Sequence, residues 1–330
     1  MRKLIVLSLL AGLALAALFA LPAGARVPGV NGQIAFARLI PTGGANVFTA
    51  NPDGTNAQQV PLVYTAEDFG VPAWSPDGSE LLISQVFRPD SGGECCLPFR
   101  PAIVNPDGSD FTLLTIPNGP FDMGCNTWNG DGTRLLCNVD FENFGGDASG
   151  SFSVRASDGG DLIRLTTNPF GGAEDRPTDI SPDGTRFVFL RHRPGQSGAH
   201  DRVDQVGLFV ENIDGTGLRQ ITPYGLAHAH EIASAQWSPD GKEIISETTQ
   251  GDLFTVRPDG NGLSLIHLQS KGFAFEPDWS PDGTQIVFCM GINGQEDIYT
   301  ANADGSNVKQ VTDTPDFENG PDWGTHPLVP

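Results

Sequence analysis

The dipeptide Asp-Gly recurs eleven times along the chain, at Asp53, Asp77, Asp107, Asp131, Asp158, Asp183, Asp214, Asp240, Asp259, Asp282 and Asp304, in two alternating contexts. In the first, Trp-Ser-Pro-Asp-Gly precedes an apolar stretch, starting at Trp74, Trp237 and Trp279, with variants starting at Trp128 and Ile180. In the second, an apolar stretch ends in Asn-x-Asp-Gly, starting at Asn51, Asn105, Asn212 and Asn302, with looser copies around Asp158 and Asp259. Both contexts predict hairpin turns. Proline presets φ at the first corner, aspartate tolerates the second, and glycine takes the left-handed position that closes a bulged hairpin. With 41 Gly and 26 Pro in 330 residues, long helices are excluded.

Successive copies of the first context lie about 42 to 57 residues apart, the length of four short strands. All five tryptophans, Trp74, Trp128, Trp237, Trp279 and Trp323, occupy one register of this unit, and Ile180 occupies the sixth. The reading is all-β: a six-bladed β-propeller. Twelve intra-blade hairpins would be needed by six closed blades, and eleven are present. The missing one falls where the chain ends, so the strand of Trp323 is expected to join a blade begun by Gln33-Ile34-Ala35-Phe36. That closure removes the free edges of an open sheet. The expected blades are residues 31–62 with 319–325, 67–115, 121–167, 174–223, 231–267 and 273–313, within one domain over 26–330.

The paired Trp-Ser-Pro-Asp-Gly and Asn-x-Asp-Gly motifs resemble the Pro-Asp variety of WD-like repeat of TolB-like β-propellers, also found in propeller domains of secreted or periplasmic peptidases. The resemblance covers 26–330 and implies the propeller fold. It does not extend to the N-terminal α/β domain of TolB, which has no counterpart between Arg26 and Gln33, so a stand-alone propeller outside the Tol–Pal system is expected. A Gly-x-Ser-x-Gly elbow, as in the peptidases' separate catalytic domain, is also missing from the sequence.

Met1-Arg2-Lys3, the apolar run from Leu4 to Leu21 and the small residues Ala23-Gly24-Ala25 have the order of a secretory signal peptide, expected to span residues 1–25. An uncleaved anchor is the alternative reading of that run. Secretion, or a periplasmic or cell-envelope location, follows, and export permits disulfides. Cys125 and Cys137 are symmetric about Asp131 and can face each other across one hairpin; a bridge from Cys95 or Cys96 to either would instead staple the second unit to the third. Spacing leaves the connectivity open. The net charge of −21 offers no footprint for nucleic acid or an anionic membrane and favours cations and basic peptides. A monomer is expected.

Both kinds of hairpin should lie on one face, and the longer connections, at 39–44, 85–97, 138–150 and 191–205, on the other, where irregular loops usually carry binding residues. Six residues before the Trp register stand Asp68, Asp122, Glu174 and Glu231, with Glu276 and Glu318 at shifted positions. These carboxylates are expected to ring the channel mouth as a calcium site or a socket for a Lys/Arg-bearing peptide; the bland alternative is solvated loop acid. His192, His200, His228 and His230 could approach one another on the same face and hold a metal, as in the metal-dependent sugar lyases built on related propellers; solvated loop histidines are the bland alternative. Three functions therefore compete: a non-enzymatic scaffold binding a protein or peptide, with or without calcium; a metal-dependent polysaccharide lyase or hydrolase; and a purely structural envelope protein.

Overall fold

In the computed structural model the described residues are 29–39, 44–63, 71–86, 100–117, 123–139, 150–167, 175–193, 206–227 and 234–328. Among them all regular structure is β-strand, arranged as six four-stranded antiparallel sheets. From inner to outer strand, blade 1 is Glu318–Trp323, Ile34–Leu39, Ala45–Ala50 and Gln58–Gln59. Blade 2 is Pro72–Trp74, Leu81–Val86, Arg100–Val104 and Thr112–Leu113; blade 3 is Met123–Trp128, Arg134–Val139, Gly150–Arg155 and Ile163–Arg164. Blade 4 is Asp175–Ile180, Arg186–His192, Val206–Asn212 and Arg219–Gln220. Blade 5 is Ala235–Trp237, Ile244–Glu247, Leu253–Val256 and Ser264–Ile266; blade 6 is Phe273–Trp279, Gln285–Ile292, Gln295–Asn302 and Lys309–Gln310.

The ring closes as the motif count requires. Trp323 pairs with Ile34 and Glu318 with Arg38, so the last strand is the inner strand of the first blade. The pairing continues past the strand ends, where Gly32 N–H donates to Gly324 O and Gln33 N–H to His326 O. Outer strands are only two or three residues long, which leaves little unpaired edge.

Turn chemistry explains the hairpins residue by residue. Asp53 Oδ1 accepts from Thr55 N (3.0 Å) and Thr55 Oγ1 (2.6 Å), and Asp77 Oδ1 accepts from Ser79 N (3.0 Å) and Ser79 Oγ (2.6 Å). Gly54 at φ 81° and Gly78 at φ 71° sit in the left-handed region. In the Trp-type turn, Ser75 Oγ also donates to Asp77 Oδ1 at 2.8 Å. These bonds hold the Asp53 and Asp77 carboxyls below the usual range, the serine and threonine hydroxyls being the largest cause.

The core consists of six seams, one between each pair of neighbouring blades. Trp74 packs with Ala35, Val47, Leu81 and Val104 between blades 1 and 2, and Trp237 with Val188, Leu208, Ile244 and Phe254 between blades 4 and 5. Between blades 3 and 4, Ile180 replaces the indole, and Phe187, Phe189 and Phe209 supply the missing volume as a stacked row. An aspartate just before the register ties blades together in three places. Asp179 accepts from Ile180 N and, across the seam, from Trp237 N, both at 2.8 Å. Asp278 bridges Trp279 N and Trp323 N in the same way, and Asp322 Oδ2 accepts from Trp74 N at 2.8 Å.

Candidate functional site

Strand alternation puts the Asp-Gly hairpins on one face and the second-to-third and blade-to-blade connections on the other. At the hairpin face the channel narrows to a cavity of about 40 Å³ among Trp74, Pro76, Trp128, Asp179, Pro281 and Asp322, residues that come from five blades and so meet only at the axis. His326 caps Trp74 there, stacked at 4.9 Å, with Nδ1 2.8 Å from Gly78 O. The opposite end is where the inner strands begin, and there Asp175 and Glu318 lie.

Blades 1 and 4, which face each other across a six-bladed ring, begin with the same arrangement. Asp175 opens the inner strand of blade 4 and pairs in register with Arg191, whose Nε and a terminal guanidinium nitrogen each reach a carboxylate oxygen at 2.8 Å. Glu318 opens the inner strand of blade 1 and meets Arg38 Nε at 2.8 Å. Each guanidinium also lies over two phenylalanine rings: Phe189 and Phe209 for Arg191, Phe36 and Phe48 for Arg38. Burial pushes the Glu318 carboxyl up, while hydrogen bonds from Thr314 and Arg38 pull it back. Planar arginine suits this work, since it can fork onto a carboxylate while stacking on an aromatic face.

A third group has no arginine. Glu276 sits at the bulge where the inner strand of blade 6 loses register, with φ at 51° in the left-handed region, a conformation that costs a non-glycine residue about 1 kcal/mol or more. Blade 1 places Gly320 at the equivalent position, three residues before its tryptophan, at φ 57°. The Glu276 Oε2 accepts from Gly320 N at 2.6 Å and lies 3.3 Å from the Cys289 thiol. Burial raises Glu276 from 4.5 to about 7, against those two hydrogen bonds. Glu247, at the end of the second strand of blade 5, is fully buried, and neither carboxyl oxygen has a hydrogen-bond partner among the described residues. Burial first and Glu276 second push its carboxyl well above the ordinary range. The Cys289 thiol is pushed up for the same two reasons, and Cys289 is a free, buried cysteine.

Of the expected carboxylates, Glu318 opens the inner strand of blade 1 and Glu276 lies at the mid-strand bulge of blade 6, both buried. Asp68, Asp122, Glu174 and Glu231 lie outside the described residues, as do His200, His228, His230, Cys95, Cys96 and the leader at 1–25. His192 ends the second strand of blade 4, half-buried and paired with Val206. Among the described residues no three His, Cys, Asp or Glu side chains are placed to hold a metal ion. Nor, among them, is any helix long and apolar enough to cross a membrane.

One expectation is corrected. Cys125 and Cys137 pair in register across the first hairpin of blade 3 and form a disulfide with each other, so neither is left to staple blade 3 to Cys95 or Cys96 of blade 2.

Asp175, Arg191, Arg38 and Glu247 were not singled out from sequence. The first three carried a readable signal: an acid five residues before the Trp register in blades 1 and 4, with an arginine four residues after the start of the facing strand in blade 1 and five in blade 4. Glu247 carried none, because an acid at a strand end reads as exposed until its neighbours are known.

No family model matches the chain. It is similar to the Protein TolB homolog of Chlorobium luteolum, 30% identical over 146 residues that make up 44% of this chain and 29% of that protein. It is also similar to the Tol-Pal system protein TolB of Anaeromyxobacter dehalogenans, 29% identical over 119 residues, 35% of this chain and 26% of that one. The matched stretches therefore span under a third of the length of these curated relatives. Among solved structures, TolB from Acinetobacter baumannii superposes with a TM-score of 0.62 at 16% identity, covering 88% of this chain and 66% of that one, a likeness of fold alone.

Proposed function

We propose that this TolB-like six-bladed propeller is an exported, non-enzymatic binding module that takes a protein or peptide segment, with or without a calcium ion, at the acidic mouth on its loop face. The observation that carries the reading is the contrast between the two ends of the channel. The hairpin end is packed with Trp74, Trp128, Pro76 and Pro281, whereas the inner strands start at the loop end with Asp175 and Glu318, and the residues just ahead of the inner strands of blades 2 to 5 include Asp68, Asp122, Glu174 and Glu231. Asp175 and Glu318 are already neutralised by arginines. The charge available to a ligand is therefore that of the four loop acids, in a protein of net charge −21.

Export is supported by the leader-like order of residues 1–25 and by the Cys125–Cys137 disulfide, which persists in oxidising compartments. The relatives named for the Tol-Pal system favour a protein partner. In a pull-down from the exported fraction, Asp68→Lys, Asp122→Lys, Glu174→Lys and Glu231→Lys together abolish capture by the immobilised protein. Capture that survives all four reversals overturns the reading, and a melting temperature indifferent to excess calcium removes the calcium from it.

A further inference from the structure

Six repeats allow one seam of the ring to be compared with the next. At the seam of blades 4 and 5, Trp237 is covered by a cation: the guanidinium of Arg186, the first residue of blade 4's second strand, lies 4.8 Å from the indole centroid. Arg186 is six residues after the register position Ile180. The residue six after Trp237 is Glu243, and the next indole is Trp279. At the seam of blades 5 and 6 an acid thus stands where a cation stands one seam earlier.

The space at that second seam is open. A groove of about 690 Å³ lies between the hairpins and outer strands of blades 5 and 6, walled by Glu243, Arg257 and Leu265 on one side and Trp279, Asp282 and Asp304 on the other. Trp279 is 4% exposed, and its Nε1–H, like that of Trp74 and of the cation-covered Trp237, has no acceptor among the described residues; that of Trp128 donates to Ala73 O and that of Trp323 to Gly32 O. Lys242, also in the groove, is held by Asp240 at 2.6 Å. The remaining charges are one arginine against Glu243, Asp282 and Asp304. Leu265 is 43% exposed on the wall.

We propose that this groove binds an extended peptide through an arginine side chain, its guanidinium set over Trp279 and against Glu243 as Arg186 is set over Trp237 within the chain. A peptide carbonyl takes the Trp279 Nε1–H, and an apolar neighbour of the arginine packs on Leu265. Arginine is favoured over lysine because the planar guanidinium stacks on an indole while keeping its in-plane donors for carboxylates. The site lies on the hairpin face and is independent of the loop-face reading.

Fluorescence anisotropy of the full chain with fluorescein-labelled Gly-Ala-Arg-Leu-Gly, beside the same peptide carrying citrulline, tests it. Saturable binding of the arginine peptide is expected, weakened about tenfold or more by citrulline and by Glu243→Arg, which installs the covering cation that blade 4 already has. A far-ultraviolet melt checks that Glu243→Arg folds; should it not, the paired change Glu243→Gln with Asp304→Asn is expected to weaken binding by about the same factor. The four loop-face charge reversals leave this binding intact. Lack of saturation, equal binding of the two peptides, or binding indifferent to the groove substitutions overturns the proposal.

Discussion

Glu276 and Glu247 are two buried carboxyls with no counter-cation among the described residues, and they give stability an unusual pH dependence. Glu276 has an ordinary value of 4.5 and a folded value of about 7, so between these limits the folded state binds the extra proton. Its contribution is fully present below pH 4.5 and is lost as pH rises through 7, a fall of about 3 kcal/mol for that shift. Glu247 acts in the same direction. Urea unfolding at pH 5 and pH 8 is expected to show the native protein weaker at pH 8, and Glu276→Gln, which keeps an acceptor for Gly320 N–H, to reduce that difference and leave the part that Glu247 contributes. The Asp175–Arg191 pair makes the opposite point about buried charge. Its side chains are 0% and 5% exposed, and Arg191→Met leaves a carboxylate without its partner, at a cost of about 3 to 5 kcal/mol in the same assay. Sequence spoke unevenly at this scale. Asp-Gly turns announced themselves because each residue serves the local backbone, whereas the partner of Asp175 and the burial of Glu247 are set by strands that sequence separation hides.

Strands and hairpins were the most legible elements. Glycine and proline punctuate them locally, and the recurring tryptophan marks the inner strand of five blades. What could not be read was the bulge that shifts register on the inner strands of blades 1, 3, 4 and 6, since a bulge inserts one residue without changing composition. Acids at shifted spacings from tryptophan, such as Glu276 and Glu318, therefore could not be assigned a common height along the channel. The aspartate clasps joined seams in a way that single-blade motifs do not show. Asp179→Ala strips the acceptor from Ile180 N and Trp237 N and is expected to cost about 2 kcal/mol in urea unfolding, with Asp179→Asn, which keeps one oxygen, losing roughly half as much. The Cys125–Cys137 disulfide closes a hairpin with a sequence separation of 12, for which chain entropy predicts about 3 kcal/mol. Replacing both cysteines by alanine should lower the urea midpoint accordingly while leaving the far-ultraviolet spectrum unchanged.

At the scale of the molecule the fold was fully legible and the ligand was not. Six blades and their closure follow from counting hairpins, but the chemistry of a propeller resides in connections whose sequences do not repeat. Ending the chain after residue 317 removes the inner strand of blade 1 together with Trp323, exposing Ile34, Phe36 and Ala37, all 0% exposed in the closed ring. Size-exclusion chromatography of that truncation is expected to show aggregates in place of a single compact species. The same closure sets an order of events. Arg38 finds Glu318 only across 280 residues, and Trp323 finds Gly32 across 291, so the first blade to leave the ribosome is the last to be completed. A nascent chain of this protein therefore carries an open inner edge on its first blade until residues 318–323 have been made.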